Sequence, residues 1–512
     1  MLYVIMTLKT LLRTSALLLL LALSAPRATC EVKLPSILGS HMVLQRDQPI
    51  HIWGWAAPGE KVTVAMHGVT RDTTADDLGK WSLYLPPEPA GGPYQLTVTG
   101  TNTIVFDDIM IGDVWFASGQ SNMEMPLSGW PGATLQNSAD EIAHANQPGL
   151  RLLVIHQKTS DFPVHDIDGS WTLCTPETAA HFSAAAYFFG RELAAKENVT
   201  IGLIDSTWGG TVVEAWMSLD ALSADASLMP AFATRARMMD KQADVPAQIA
   251  KEHREDEAAV KAGLPKPDHV WNPNPASWGP AALFNGMVAP ATPFGIKGVI
   301  WYQGESNSRL TFAPMYARLF PALINDWRAQ WHEGNFPFLF VQISAFNSNP
   351  TESWPTIREA QLRTLSLTNT AMVVTIDIGN PTNVHPANKQ AVGARLALAA
   401  RALAYGEHVE YSGPIFRQAA SDQQTMRIWF DHAAGLVSKD GPLTGFEIAG
   451  SDRHFAKAAA RIEGNTVVVT SPEVPAPAYV RYGWENAPVV NLFNADGLPA
   501  SPFTSEVVIP AL

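Results

Sequence analysis

The middle of the chain alternates short apolar runs with segments of helical periodicity. The apolar runs are Asp113–Ala117, Leu152–Ile155, Val199–Ile204, Val299–Tyr302, Phe338–Ile343 and Met372–Ile376, and the clearest helical segments are Phe182–Glu197 and Lys389–Tyr405. A strand without a polar face must be covered on both sides, so this alternation predicts a parallel sheet with helices on both faces. We therefore expect an α/β domain whose ligand site lies outside the carboxyl ends of the strands.

Both flanks of this region have the pattern of small β modules, because short alternating runs are separated there by Gly and Pro. We divide the chain into a signal segment (1–30), a β-sandwich module (31–107), a catalytic domain (108–405) and a C-terminal β module (406–512). Residues 219–290 interrupt the strand–helix alternation and are interpreted as an insertion in the catalytic domain.

The first thirty residues have the pattern of a secretory signal. Lys9 and Arg13 precede the apolar run Ala16–Leu23, which is followed by small residues. The run is too short to span a bilayer as a mature anchor, so we expect a periplasmic or secreted protein that leaves the membrane after signal cleavage. The sequence around Cys30 is a poor lipidation motif, and lipidation there stays open.

The net charge and the cysteine content limit which partners and cofactors we expect for this protein. The net charge of −13 at pH 7 argues against nucleic acid or an anionic membrane surface as the main partner. The chain contains only Cys30 and Cys174, so we expect no intramolecular disulfide in the mature protein and no Cys-rich metal site.

A serine follows the first apolar strand on a turn that contains glycine. The sequence at 119–123 is GQSNM, which places Ser121 just past the strand, where an α/β enzyme presents a nucleophile. Met123 stands where the second glycine of the G-x-S-x-G pattern would be. The turn is therefore either a different serine-esterase geometry or a turn without chemistry.

A nucleophilic serine needs a base and a group that orients the base. The best candidate for the base is His385, which lies in a loop after the last apolar strand and before the Lys389 helix. Asp377, at the end of that strand, can return to the imidazole and fix its tautomer.

The oxyanion of an acyl-transfer reaction needs hydrogen-bond donors aimed at one point. Gly209 and Gly210 follow a strand, so their N–H groups can approach a substrate closely, and the N–H of Ser121 is a further donor. Gln303 or Asn307, after another strand, could supply a side-chain amide.

Taken together, these segments resemble the sialate O-acetylesterase family of SGNH hydrolases. The motifs are GDVW at 112–115, GQSNM at 119–123, WGG at 208–210, WYQGESN at 301–307, HP at 385–386, NLFN at 491–494 and GLPASPF at 497–503. The resemblance extends from about residue 32 to the end. It implies a flavodoxin-like domain that removes O-acetyl groups from sugars, with Ser121 as the nucleophile and His385 as the base.

The chain departs from the general SGNH pattern in its acid and its amide. Many of these enzymes carry the acid three residues before the histidine, where this chain has Thr382. In the sialate esterase branch the acid resembles Asp377, which we expect here, with Glu305 as the alternative. The general pattern also has an asparagine in its third block; we assign that amide role to Gln303, with Asn307 as the alternative.

The expected reaction is a two-step acetyl transfer that needs no metal or other cofactor. The substrate is an acetylated oligosaccharide, either of sialic acid or of plant cell-wall xyloglucan or xylan. Trp208 is a candidate for substrate binding, together with Trp130, Trp271 and Trp278. Two alternatives stay open, namely a non-catalytic carbohydrate-binding protein and an SGNH esterase or thioesterase that acts on esters without sugar.

Overall fold

The computed structural model describes residues 31–232, 245–267, 269 and 274–507. The predicted signal segment, with Cys30, and the tryptophan at 271 lie outside these residues. Cys174 is a buried free thiol. Within the described part of the chain, no helix combines the length and the apolar character needed to cross a bilayer.

The strands are β1 (Val43–Gln45), β2 (Ile50–Trp55), β3 (Lys61–Met66), β4 (Val69–Thr74), β5 (Lys80–Leu85), β6 (Gly91–Thr99), β7 (Thr103–Gly119), β8 (Leu150–Val154), β9 (Trp171–Leu173), β10 (Ile201–Thr207), β11 (Gly298–Tyr302), β12 (Phe338–Gln342), β13 (Thr370–Val374), β14 (Ile415–Asp422), β15 (Thr425–Asp431), β16 (Val437–Ser438), β17 (Phe446–Ala449), β18 (Ala456–Lys457), β19 (Ala459–Glu463), β20 (Thr466–Thr470), β21 (Tyr479–Tyr482), β22 (Leu492–Phe493) and β23 (Phe503–Thr504).

The α-helices are α1 (Ser121–Glu124), α2 (Ser138–Ala143), α3 (Pro176–Ala180), α4 (Ala184–Glu197), α5 (Leu219–Ala224), α6 (Val245–Lys261), α7 (Tyr316–Trp331), α8 (Trp354–Thr364) and α9 (Lys389–Ala404). Single 3₁₀ turns occur at Val213–Trp216, Ala226–Leu228, Pro275–Trp278, Ala289–Ala291, Glu305–Asn307, Ala313–Met315 and Ile376–Ile378, and a π turn at Phe284–Val288.

The predicted parallel sheet is present. Its strand order is β13-β12-β11-β7-β10-β8-β9, and all of these strands run parallel except β9, which is antiparallel to β8. The strands β10, β11, β12 and β13 are buried along their whole length, as apolar runs without a polar face require. The carboxyl ends of β7, β10, β11 and β13 therefore lie along one edge of the sheet.

Helices cover both faces of this sheet. Neighbouring residues of a strand point to opposite faces, and Trp115 and Phe116 of β7 do so here. Trp115 packs edge-on against Phe189 of α4, with ring centroids 5.0 Å apart, whereas Phe116 packs edge-on against Trp327 of α7 at 5.6 Å. The prediction of an α/β domain with helices on both faces is thereby confirmed.

Residues 52–83 and 96–105 form a compact unit with residues 31–34. In this unit β3 pairs antiparallel with both β4 and β6, and β2 pairs with β5. Alternate residues of β3 are buried, as the alternating sequence predicts.

The second unit contains residues 35–51, 84–95 and 106–507, so the C-terminal strands belong to the same unit as the parallel sheet. These strands form the four-stranded sheets β14-β15-β20-β19 and β18-β17-β21-β23 and the two-stranded sheet β16-β22. A hydrophobic cluster that includes Ile428, Phe446, Val467, Tyr482 and Phe503 lies between them. The accessory β modules are therefore present, whereas the predicted domain boundaries stay predictions.

Candidate active site

The turn that carries Ser121 is held against the neighbouring strand. Gly119 has φ +135°, and a Cβ at this position would lie 2.2 Å from the carbonyl oxygen of Tyr302 in β11, so only glycine fits. The backbone N–H of Gln120 donates to the same oxygen at 3.0 Å. Ser121 then begins the short helix α1. The sequence thus places the serine at a defined point past the strand end.

Ser121 opens into a cavity of about 740 Å³. The cavity is lined by Gln120, Ser121, Glu124, Trp130, Gln157, Trp208, Gly209, Gly210, Trp278, Glu305, Ser306, Arg309, Phe346, Glu352, Trp354, Val384 and His385. Eight residues predicted from sequence meet here: Ser121, Trp130, Trp208, Gly209, Gly210, Trp278, Glu305 and His385. Asp377, Gln303 and Asn307 are not among the lining residues.

His385 is held by its loop and by an aromatic neighbour. Its backbone N–H donates to Oδ1 of Asn383 at 2.9 Å, and its ring meets Trp130 edge-on at 5.0 Å between centroids. Burial, together with the positive charge of Lys389, lowers the pKa of His385 to about 4. The imidazole is therefore neutral at neutral pH, which is the state that can accept the proton of a serine.

Asp377 is engaged elsewhere. Its two carboxylate oxygens accept hydrogen bonds from the guanidinium of Arg395 in α9, at 2.7 and 2.6 Å. Within the described residues, no hydrogen bond joins His385 to Asp377, nor to Glu305. The expectation that Asp377 orients the imidazole therefore lacks support in this structure, because a bidentate ion pair uses both oxygens.

Glu305, the alternative acid, lies at the cavity. Its Oε1 accepts a hydrogen bond from Nδ2 of Asn122 at 2.6 Å, whereas its Oε2 is buried and accepts none within the described part of the chain. Burial raises the pKa of Glu305, and the hydrogen bond from Asn122 and the charge of Lys389 oppose that rise. One carboxylate oxygen thus remains for a donor such as an imidazole N–H.

Asn122 and Lys389 are parts of the site that sequence reasoning missed. Oδ1 of Asn122 accepts a hydrogen bond from Nζ of Lys389 at 2.5 Å, and Nδ2 of Asn122 donates to Glu305 and to the carbonyl oxygen of Val384 at 3.0 Å. Asn122 thus joins the serine turn, the end of β11 and the histidine loop. Burial lowers the pKa of Lys389 to about 7, although the charge of Glu305 opposes this.

A sequence signal for Lys389 did exist. It is the first residue of α9, where the partial positive charge of the helix terminus disfavours a cation. Only 1% of this lysine is exposed, so it does not reach solvent. The charge of Lys389 at this position therefore needs a compensating acceptor, which Asn122 supplies.

The amide role that we expected of Gln303 or Asn307 is not supported. Nε2 of Gln303 donates to Oδ1 of Asn307 at 2.7 Å and to the carbonyl oxygen of Thr211 at 3.2 Å. Nδ2 of Asn307 donates to Glu214 at 2.9 Å. Both amides are fully buried and tie the segment after β10 to the end of β11. Their donors are occupied inside the protein and do not face the cavity.

The backbone donors are better placed. The N–H of Ser121 opens a helix and has no acceptor within that helix. A Cβ on Gly209 would lie 3.3 Å from Cβ of Ser121, so the two backbones are adjacent. Glu124 lies beside Gly209; burial raises its pKa, and hydrogen bonds from the Gly209 backbone and from Gln157 oppose the rise. Glu124 thus competes for one predicted donor.

Five aromatic side chains line the cavity: Trp130, Trp208, Trp278, Phe346 and Trp354. Nε1 of Trp278 donates to the carbonyl oxygen of Gly210 at 2.7 Å, which joins the predicted insertion to the glycine pair. The insertion therefore contributes a side chain to the site.

Comparisons with known proteins agree with this architecture. A family model described as "carbohydrate esterase, sialic acid-specific acetylesterase" matches residues 269–402. The human sialate O-acetylesterase is 30% identical over 524 residues, which cover 91% of this chain and 91% of the human protein. The sialate O-acetylesterase of Pongo abelii is 32% identical, with 91% of each chain covered.

A solved structure shows the same fold. A carbohydrate acetylesterase from Xanthomonas citri has 38% sequence identity and a TM-score of 0.80, with 93% of this chain and 100% of the other covered. The resemblance inferred from the motifs is confirmed. The chain belongs to the sialate O-acetylesterase family of carbohydrate esterases.

Proposed function

We propose that this carbohydrate O-acetylesterase attacks the acetyl group with Ser121, uses His385 as its general base, and takes neutral acetylated oligosaccharides in its cavity. The observation that carries the proposal is that Ser121, His385 and Glu305 line one cavity together with five aromatic side chains. We also propose a periplasmic or secreted location, which the signal pattern at 1–30 supports.

The reaction proceeds through an acetyl-enzyme. The neutral imidazole of His385 takes the hydroxyl proton as Oγ of Ser121 attacks the acetyl carbonyl. The N–H groups of Ser121, Gly209 and Gly210 stabilise the oxyanion, and Glu124 moves away from Gly209 when the acetyl oxygen arrives. The imidazolium then protonates the sugar oxygen as it leaves. Water, activated by His385, releases acetate and restores Ser121.

Glu305 is the acid that orients His385 in this proposal. It lines the cavity with the histidine and keeps a buried oxygen without a hydrogen-bond partner in the described structure. Such an oxygen is costly unless a donor reaches it during the reaction. Lys389, bridged to Glu305 by Asn122, favours the ionised carboxylate. Asp377 lacks these features, since Arg395 holds both of its oxygens.

The charge of the cavity favours neutral sugars over sialic acid. Three carboxyl groups line it, those of Glu124, Glu305 and Glu352, against the single guanidinium of Arg309 within the described residues. An acetylated sialic acid would bring a further carboxylate into this environment, whereas the acetylated units of xylan or xyloglucan carry none. Trp130, Trp208 and Phe346 are partly exposed, and such aromatic faces suit the apolar faces of neutral sugar rings, whereas Trp278 and Trp354 are buried.

Two experiments test the proposal. Ser121→Ala should abolish turnover of 4-nitrophenyl acetate, a loss of about 10⁴-fold or more, while circular dichroism stays unchanged. Substantial residual turnover would refute the assignment of Ser121 as the nucleophile. Acetate release from acetylated xylan and xyloglucan oligosaccharides should exceed release from 9-O-acetyl sialic acid and from a long-chain ester. Preference for the sialic acid would refute the charge argument.

A further inference from the structure

One wall of the cavity is a connection without regular secondary structure. Residues 343–353 join β12 to α8. Phe346 and Glu352 of this connection line the cavity, as does Trp354, the first residue of α8. A segment of this kind has no strand or helix hydrogen bonds of its own to keep its shape. Besides a few turn hydrogen bonds of its own, such as that from the N–H of Glu352 to the carbonyl oxygen of Asn349, groups outside the connection hold its position.

A buried arginine of α8 supplies part of that support. Arg358 is fully buried, and its guanidinium donates only to main-chain carbonyls among the described residues. Nε donates to Ile343 at 3.0 Å and Nη2 to Ser344 at 2.7 Å. Nη1 donates to Glu485 and Nη2 to Asn486, both at 2.7 Å. Burial lowers the pKa of Arg358 to about 9, so the group stays a cation at neutral pH.

Asn486 completes the support from the other side. It lies in the C-terminal module, between β21 and β22. Its Oδ1 accepts a hydrogen bond from the backbone N–H of Trp354 at 3.0 Å, and its carbonyl oxygen accepts one from the N–H of Phe346 at 3.2 Å. The same residue thus holds the backbone of both aromatic side chains of this wall.

We propose that Asn486 of the C-terminal β module is a positioning residue for sugar binding, because it holds Phe346 and Trp354 in the wall of the cavity. The inference rests on the proposed function. An acetyl group of a small ester needs only the serine, the base and the oxyanion donors, whereas an oligosaccharide also needs the wall. According to this proposal, the C-terminal module is part of the sugar-binding site.

The test is a comparison of two substrates in one variant. Asn486→Ala removes the acceptor for the backbone N–H of Trp354. The KM for an acetylated xylan oligosaccharide should therefore rise about tenfold, which corresponds to the free energy of one lost hydrogen bond. The kcat for this substrate should stay within twofold. Turnover of 4-nitrophenyl acetate should also stay within twofold. Asn486→Asp keeps Oδ1 and should restore the sugar KM.

Asn491→Ala is the matched control. Asn491 is a half-buried asparagine of the same module that accepts from Thr444 and donates to Lys439 and Pro442, away from the wall. The Asn491→Ala variant should have an unchanged KM for both substrates. If Asn486→Ala does not fold, Asn486→Ser, whose hydroxyl is too short to reach Trp354, should show the same split.

Equal losses on both substrates, or a sugar KM unchanged in a folded Asn486 variant, would overturn the inference. Oligosaccharide binding by calorimetry in the Ser121→Ala background provides a readout without turnover, and the Kd should weaken about tenfold with Asn486→Ala. Loss of the proposed function would instead appear as turnover that does not depend on Ser121. The two failures are therefore distinct.

Discussion

Two carboxylates at strand ends of the same sheet meet basic residues of the same helix in different ways. Asp377 follows β13 and pairs directly with Arg395 of α9, through two short hydrogen bonds near the surface. Glu305 follows β11 and meets Lys389 of α9 through Asn122, in a buried setting. In sequence, both are an acid just past an apolar strand.

The difference teaches what makes a carboxylate available for chemistry. A bidentate pair with arginine satisfies both oxygens and holds the group in one orientation. A bridge through an amide satisfies one oxygen and leaves the other free, while the cation still favours ionisation. Buried carboxylates are costly to keep, so one that lines a cavity with a free oxygen is a candidate for function.

Exchanging each acid for its amide should separate the two roles most clearly. Glu305→Gln should lower kcat for 4-nitrophenyl acetate by about 10³- to 10⁴-fold, because the imidazole loses the group that sets its tautomer. Asp377→Asn is the matched control and should retain kcat within threefold. The reverse outcome, a dead Asp377→Asn and an active Glu305→Gln, would return the acid role to Asp377.

Removing the buried cation should change the pH profile. The pKa of His385 is held at about 4 by burial and by the charge of Lys389, which disfavours the protonated imidazole. Lys389→Met removes that charge, so the acidic limb of kcat/KM should move upward from about pH 4, and activity at pH 5 should fall severalfold relative to pH 8. Stopped assays across pH 4–8 measure this shift. If the acidic limb of the pH profile does not move, Lys389 does not control the pKa of His385.

Breaking the other pair should have the smallest effect. Arg395→Met removes the partner of Asp377, whose side chain and that of the arginine are only 17% and 12% exposed. We expect about 1–3 kcal/mol of lost stability, because a bidentate pair that is largely shielded from solvent is broken, and kcat within twofold. Urea unfolding and turnover of 4-nitrophenyl acetate measure both. A large loss of kcat with normal stability would show that this pair supports the reaction after all.

Much of the site was predictable from sequence because it depends on local patterns. An apolar run that ends in a glycine-containing turn predicts both a strand and its end, and parallel strands bring their ends to one edge. Ser121, Gly209, Gly210, Glu305 and His385 could therefore be assigned to one region. The family resemblance was readable for the same reason, since its motifs lie at those strand ends.

The direction of a side chain at a strand end was not predictable in this way. Gln303 and Asn307 belong to the expected region, yet their amides point into the protein, toward Thr211 and Glu214. A side chain at a strand end can point into the protein or toward the cavity. A shift of one residue in the turn changes which of these directions it takes.

The sequence by itself determined the parallel sheet, the serine turn and the set of polar residues near it, because each follows from a pattern within a few residues. Only the tertiary structure decided which carboxylate is free. Asn122 meets Glu305 across 183 residues and Lys389 across 267. Pairings over such separations depend on how the strands and α9 pack, and a local sequence pattern does not predict that packing.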